Sequence, residues 1–248
     1  MTVSSHGIRA RASVENIHAR HLFDPIAQEY DLLLEVLSLF QNSRWRRFLI
    51  SRLRPSSNHT VLDLCTGTAG VAVEIAKKHG CRVVGVDLSD GMLREGAERV
   101  KGAEVTHLVD LIRGRAESLS YRDGQFDAVA FTYLLRYVDD PLTTLSEIVR
   151  VLKPGGTIAS LDFSVPRGAL VRGLWRIYTG WALSLATRYV SDGWRCVGQF
   201  LGPNISQFYQ RYSVEDILAM WREVGIVDAQ ARMMTFGGAV VMWGTKGT

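Results

Sequence analysis

Apolar positions along this chain follow two different periods. Over residues 15–53 they recur at three- and four-residue steps. Ile26, Tyr30, Leu33, Leu34, Leu37 and Phe40 mark one helical face. Trp45, Phe48, Leu49 and Leu53 mark another, with Arg44, Arg46, Arg47 and Arg52 between them. This spacing predicts helix, and Pro55-Ser56-Ser57-Asn58 predicts the loop that ends it. Farther on, short apolar runs predict strands at 60–64, 81–87, 108–113, 126–132 and 157–163. Helical patterns separate them at 71–78, 89–100 and 141–152. Ser89 is placed to cap the second of these, with Met92 and Leu93 facing inward, and Pro141 to open the third. Lys153-Pro154-Gly155-Gly156 reads as a tight turn before the fifth strand.

The end of the chain changes pattern. Residues 213–224 predict a helix whose Ser213 and Asp216 suit a capping box. Two β-like runs follow, 226–234 and 239–245, joined by Thr235-Phe236-Gly237-Gly238, which is a hairpin signal. The expected fold is therefore α/β and Rossmann-like, a mainly parallel seven-stranded sheet closed by a C-terminal antiparallel hairpin. Residues 1–14 read as a flexible N-terminus. Residues 15–248 read as one domain, with a helical lid at 15–54 and a cover insertion at 165–210.

Composition narrows the field. At 248 residues and 47% hydrophobic content the chain can bury a sizeable core. A net charge of +4 permits attraction to anionic surfaces, but no Lys/Arg-rich run interleaves with aromatics, so nucleic acid is not an expected partner. Cys65, Cys81 and Cys196 are irregularly spaced and read as reduced thiols, with neither a disulfide framework nor a metal site. No apolar signal region and no membrane-length stretch is evident, which predicts a cytoplasmic protein. None of the histidines joins a convincing constellation, although His21 lies near the lid.

Candidate chemistry starts at VLDLCTGTAG, residues 61–70. Asp63 closes a strand, and Cys65, Thr66, Gly67 and Thr68 form a turn before a helix. A helix N-terminus offers free N–H groups, and a glycine lets backbone approach a ligand. Asp87 ends the next strand, where an acid can accept both hydroxyls of an adenosine ribose, with Leu88 and Met92 just beyond. These features fit either a dinucleotide or S-adenosylmethionine (AdoMet). Gly114-Arg115-Ala116-Glu117, the entry Phe126-Asp127-Ala128-Val129, the exit through Pro154-Gly155-Gly156 and the terminal hairpin match the layout of class I AdoMet methyltransferases.

Within that class the chain resembles the ubiquinone/menaquinone biosynthesis C-methyltransferase family. The resemblance rests on Leu135-Arg136-Tyr137-Val138, on Arg150 to Gly156, and on Leu161-Asp162-Phe163-Ser164-Val165-Pro166. Phe23-Asp24, Ala27, Tyr30-Asp31, Phe200 to Ile205 and Gly237 to Val241 add to it. The resemblance implies AdoMet as cofactor, bound at Thr68, Asp87, Arg115, Ala116 and Thr132. It also implies a small lipophilic acceptor, a prenylated quinol precursor methylated on a ring carbon. The chain departs from the family pattern at Ala69 and Gly70 (Gly and Asp), Arg115 (Asn or Asp), Tyr137 (Asn), Asp162 (Glu) and Gly198 (Tyr). An alanine at position 69 suits the cradle if its φ stays negative.

Under that reading Arg136 is the candidate cation for the acceptor oxygen, and Asp162 and Tyr30 are candidate catalytic groups. Tyr133 and Tyr209 are candidates for orienting the ring. Apolar and arginine residues alternate through 165–190 at helical spacing, which predicts a cover helix touching a prenyl tail, a membrane surface or a second copy in a homodimer. Two other functions share the pattern: methylation of another small molecule or a phospholipid nitrogen, and a non-catalytic scaffold that keeps the AdoMet fold.

Overall fold

The computed structural model describes residues 24–179 and 192–248. Its strands are β1 Thr60–Leu64, β2 Arg82–Asp87, β3 Val109–Arg113, β4 Phe126–Thr132, β5 Leu152–Phe163, β6 Ile226–Met234 and β7 Ala239–Lys246. Among the described residues they form one seven-stranded sheet in the order β3-β2-β1-β4-β5-β7-β6. β1 to β5 pair in parallel, while β7 runs antiparallel between β5 and β6. Chain direction across the sheet reverses between β1 and β4. Open α/β sheets hold ligands at the carboxyl side of such a switch point.

The helices are α1 Tyr30–Leu37, α2 Asn42–Leu53, α3 Gly70–His79, α4 Asp90–Gly102, α5 Pro141–Val151, α6 Ala169–Ile177, α7 Asp192–Arg211 and α8 Val214–Glu223. Side chains alternate across the central strands and feed two cores. Ala128, Ala130 and Leu161 pack with Leu49, Leu53 and Ile75 on one face. Val129, Phe131 and Ile158 pack with Leu145, Ile148 and Trp221 on the other. Helix ends carry the expected signals. Ser89 accepts from the Met92 N–H, Asp140 accepts from the Leu142 N–H ahead of Pro141, and Ser213 and Asp216 cap each other's backbone.

Two expectations change. Residues 153–156 do not leave the sheet as a turn; they bulge within β5. Pairing jumps from Phe126 with Leu152 to Ala128 with Thr157, so the extra residues loop out. Gly155 takes φ 73° there, and Pro154, lacking an N–H, is tolerated because a bulge needs no ladder bond. The expected helix at 165–190 is described only as α6, which starts at Ala169. Trp181, Leu185 and Arg188 lie outside the described residues, as do residues 1–14, His18, His21 and Phe23.

Candidate active site

The residues expected to hold a cofactor gather along the carboxyl edge of β1 to β4. Asp63 is fully buried at the end of β1, and its Oδ2 accepts from the Thr66 hydroxyl at 2.6 Å. Burial raises this carboxyl from 3.8 to about 7, while the Thr66 bond and the Arg46 charge pull it back. The chain then reverses through left-handed backbone at Cys65 (φ 52°), Gly67 (φ 54°) and Ala69 (φ 59°). Only glycine takes that conformation freely; the other two carry strain of about 1–2 kcal/mol each. Ala69 thus lacks the expected negative φ, because it is the N-cap at which the loop turns over into α3. Gly96 makes room for the Ala69 methyl: a Cβ there would lie 3.3 Å from it.

Asp87 lies beside this loop. Its Oδ2 accepts from the Gly67 N–H at 2.8 Å and its Oδ1 from the Ser89 N–H at 2.9 Å. Burial raises its pKa, and those backbone donors oppose the rise. Leu88 is half-buried and Met92 buried just beyond. The turn after β3 reaches the same edge, since the Gly114 N–H bonds the Asp87 carbonyl at 3.0 Å. It carries the half-buried Arg115, 3.5 Å from Glu117, and the buried Ala116. Buried Thr132 ends β4.

The first helices close over this cradle, in contacts that sequence reading did not supply. Ser89 donates its hydroxyl to Asp24. The Tyr30 ring lies against the loop, 3.6 Å from where a Gly67 Cβ would stand. Asp31 accepts from Thr68 Oγ1 at 2.9 Å and from Arg99, and Arg46 Nη2 approaches it at 3.6 Å. Both arginines lie over Gly70: a Cβ there would sit 2.6 Å from Arg46 Nη1 and 3.1 Å from Arg99 Nη1. The sequence cues were Phe23-Asp24 and Tyr30-Asp31, which pointed to the family but not to these partners.

A second cluster lies after β4 and at the end of β5. Arg136, in a short 3-10 turn, donates Nε to Asp162 Oδ1 at 2.8 Å, and its side chain is 1% exposed. Its Nη1 donates to Asn204 Oδ1 of α7 at 2.6 Å and to the Tyr137 hydroxyl at 3.3 Å. The two candidates named separately are thus a single buried ion pair. Burial raises the Asp162 pKa and the Arg136 charge opposes that rise; the paired carboxylate in turn helps to hold Arg136 protonated. Tyr133 is engaged in packing, stacked on Phe163 at 4.9 Å with its hydroxyl donated to Asn42 at 2.9 Å. Tyr209 differs. Its hydroxyl is buried with no hydrogen-bond partner among the described residues, and Asp162 and Arg136 both act on it electrostatically. Tyr30 belongs to the cradle side and not to this pair.

β5 and α7 also wall a cavity of about 250 Å³, lined by Trp45, Phe163, Trp175, Tyr178, Leu201 and Ile205 among others. No charged residue lines it among the described residues. The Trp45 indole donates to Thr235 at 2.9 Å and the Tyr178 hydroxyl to the Val36 carbonyl at 2.9 Å. Those bonds tie α2 to the hairpin loop and α6 to α1.

Comparison with known proteins gives a consistent picture. The ubiE/COQ5 methyltransferase family profile matches residues 11–246. The ubiquinone/menaquinone biosynthesis C-methyltransferase UbiE of Geobacter sulfurreducens is 34% identical over 230 residues, covering 92% of this chain and 88% of its own. A demethylmenaquinone methyltransferase of Lactiplantibacillus plantarum is 31% identical over 227 residues, covering 91% and 94%. Among solved structures, Haemonchus contortus phosphoethanolamine N-methyltransferase 2, in complex with S-adenosyl-L-methionine, aligns with TM-score 0.67 at 17% identity. It covers 97% of this chain and 61% of that one. A Thermotoga maritima SAM-dependent methyltransferase aligns with TM-score 0.60 at 20% identity, covering 91% and 99%. These structural matches establish the fold alone.

Proposed function

The chain belongs to the ubiE/COQ5 methyltransferase family, and from that premise we propose that it uses AdoMet to methylate a ring carbon of a quinol with an isoprenoid tail. The cradle's chemistry fits AdoMet. The Asp87 carboxylate at the end of β2 suits a ribose diol, Ala116 and Thr132 flank the same edge, and Thr68 and Gly67 offer a hydroxyl and a close backbone. Asp63, raised to about 7 by burial, suits a cationic ligand, because an arriving positive charge favours its ionised form. Bound there, AdoMet supplies a methyl group already made electrophilic by its sulfonium.

The protein's task is then to make the acceptor carbon nucleophilic and to exclude water. An aromatic carbon gains electron density when the neighbouring hydroxyl loses its proton. Arg136, buried and permanently charged, stabilises the resulting oxyanion. Asp162, whose basicity burial increases, takes the proton from that hydroxyl and hands it back once the methylated carbon has shed its ring hydrogen as a proton to water. Asn204 and Tyr137 fix the guanidinium, and Tyr209 orients the ring through its unused hydroxyl. The apolar cavity takes the start of the tail. The observation that carries this reading is the buried Arg136–Asp162 pair sharing β5 and α7 with that cavity.

Arg136→Lys tests it. The charge is kept while the guanidinium's geometry towards Asp162 and Asn204 is lost. Turnover of a demethylquinol acceptor should fall about a hundredfold, with AdoMet affinity by calorimetry within about twofold. Equal loss of both would reduce Arg136 to a structural residue. Lipid extracts of a knockout strain test the substrate class: a demethylated quinone should accumulate. Unchanged quinones with altered phospholipids would overturn it.

A further inference from the structure

A polar groove of about 250 Å³ opens between α6, α7 and the start of α8. Three arginines and one carboxylate line it: Arg167, Arg172, Arg176 and Glu215. Glu215 is spent on Arg167. Arg172 and Arg176 make no ion pair among the described residues. They stand four residues apart on α6, so their side chains share one face. The groove's serines are committed elsewhere. Ser164 donates to the Gly237 carbonyl at 2.7 Å, Ser206 to the Gly202 carbonyl at 2.9 Å and Ser213 to Asp216 at 2.7 Å. What the groove has to spare is therefore positive charge and guanidinium N–H groups. Neighbouring guanidiniums, each able to meet two oxygens at once, suit phosphate groups.

The groove adjoins both halves of the site already described. Pro166 and Trp175 line it and the apolar cavity alike, so a cationic recess and an uncharged one meet at those two residues. Tyr209 lines the groove too, and Asp162 and Arg136 act electrostatically on its hydroxyl. No step of the methyl transfer uses Arg172 or Arg176.

We propose that groove and cavity together bind an isoprenoid diphosphate, its head on Arg172 and Arg176 and its chain past Trp175 in the cavity. The head brings the multiple negative charge that these arginines can match, where a single carboxylate would leave one of them unmet. The chain suits a cavity that no charged residue lines among the described residues. Such a diphosphate is the activated alkyl donor of prenyl transfer, the class of reaction that must supply a ring with an isoprenoid tail. Tail donor and tailed acceptor then compete for one cavity, and methylation slows while the donor is abundant. This rests on reading the cavity as the tail's site.

Calorimetry on the full chain, with geranyl diphosphate, inorganic diphosphate and geraniol as probes, tests the proposal. Geranyl diphosphate should bind at least about tenfold more tightly than either of the other two. Arg172→Gln with Arg176→Gln should weaken it at least about tenfold, with AdoMet affinity and turnover of a tail-less acceptor unchanged. Added geranyl diphosphate should raise KM for a tailed demethylquinol and not for a tail-less one. No saturable binding, binding no tighter than that of inorganic diphosphate, or an affinity untouched by the double variant would overturn the proposal. Normal methylation of a tailed quinol without diphosphate binding overturns it and leaves the methyl transfer standing; diphosphate binding without transfer to any quinol does the reverse.

Discussion

Replacing Asp63 by asparagine should stabilise the protein, and by an amount that grows with pH. The native carboxyl is fully buried and its pKa is raised from 3.8 to about 7. A group with a raised folded-state pKa favours folding only while protonated. Its contribution is therefore complete below about pH 4 and is lost as pH climbs towards and past 7. The shift of about three units amounts to roughly 4 kcal/mol at high pH, a large fraction of the usual net stability of a domain. In Asp63→Asn the amide oxygen still offers an acceptor to the Thr66 hydroxyl, which now bonds Asp63 at 2.6 Å, and there is no charge to desolvate. Urea denaturation of the ligand-free protein at several pH values measures the effect. The stability gap between variant and native protein should widen by roughly 2.5 kcal/mol from pH 5 to pH 8. A constant gap would show that Asp63 titrates as an ordinary carboxylate and would remove the argument for its role beside a cationic ligand. Cofactor binding, measured by calorimetry, should weaken in the same variant.

Other residues give further tests. Asp31→Asn should cost about 1 kcal/mol, because the ion pairs are partly exposed, and weaken AdoMet binding. Gly70→Asp in that background should restore part of both, since its carboxylate would meet Arg46 and Arg99; a double variant no better than Asp31→Asn alone would refute the role given to these ion pairs. Tyr209→Phe should leave the melting temperature unchanged or higher, as an unpaired buried hydroxyl costs about 1–3 kcal/mol, yet slow turnover about tenfold. Unchanged turnover would exclude Tyr209 from acceptor binding. Val171→Trp, at a half-buried wall residue of the cavity, should raise KM about tenfold for a tailed acceptor and leave a tail-less one untouched.

Periodicity carried most of the fold. Every strand run was legible because the central strands are apolar on both faces and bounded by turns, and Ser89, Pro141 and Ser213 marked helix starts through local hydrogen bonding. The bulge at 153–156 was not legible, since a turn and a bulge share Pro and Gly and differ only in what β4 does alongside. Ala69's positive φ escaped for a similar reason: alanine does not announce it, and only the closure of the loop onto α3 demands it.

The candidate site was legible as positions along the strand ends but not as pairings. Asp87 and Gly67 were recognisable singly; the bond between them depends on how β2 lies against β1. Arg136 and Asp162 were chosen for opposite roles, and 26 residues separate them. The parallel register of β4 and β5 brings their ends together, and Asn204 from α7 completes the contact. Tyr137, which departs from the family pattern, places its hydroxyl on Arg136 Nη1 and its ring 5.0 Å from the guanidinium. That substitution therefore preserves a partner for the cation. A buried arginine left unpaired would cost several kcal/mol, so each departure at this cluster is constrained to supply an acceptor. The same constraint does not act on the cavity wall, where shape alone decides which tail enters. Acceptor specificity in this protein should accordingly follow the apolar residues of α6 and α7, and the chemistry should follow Arg136.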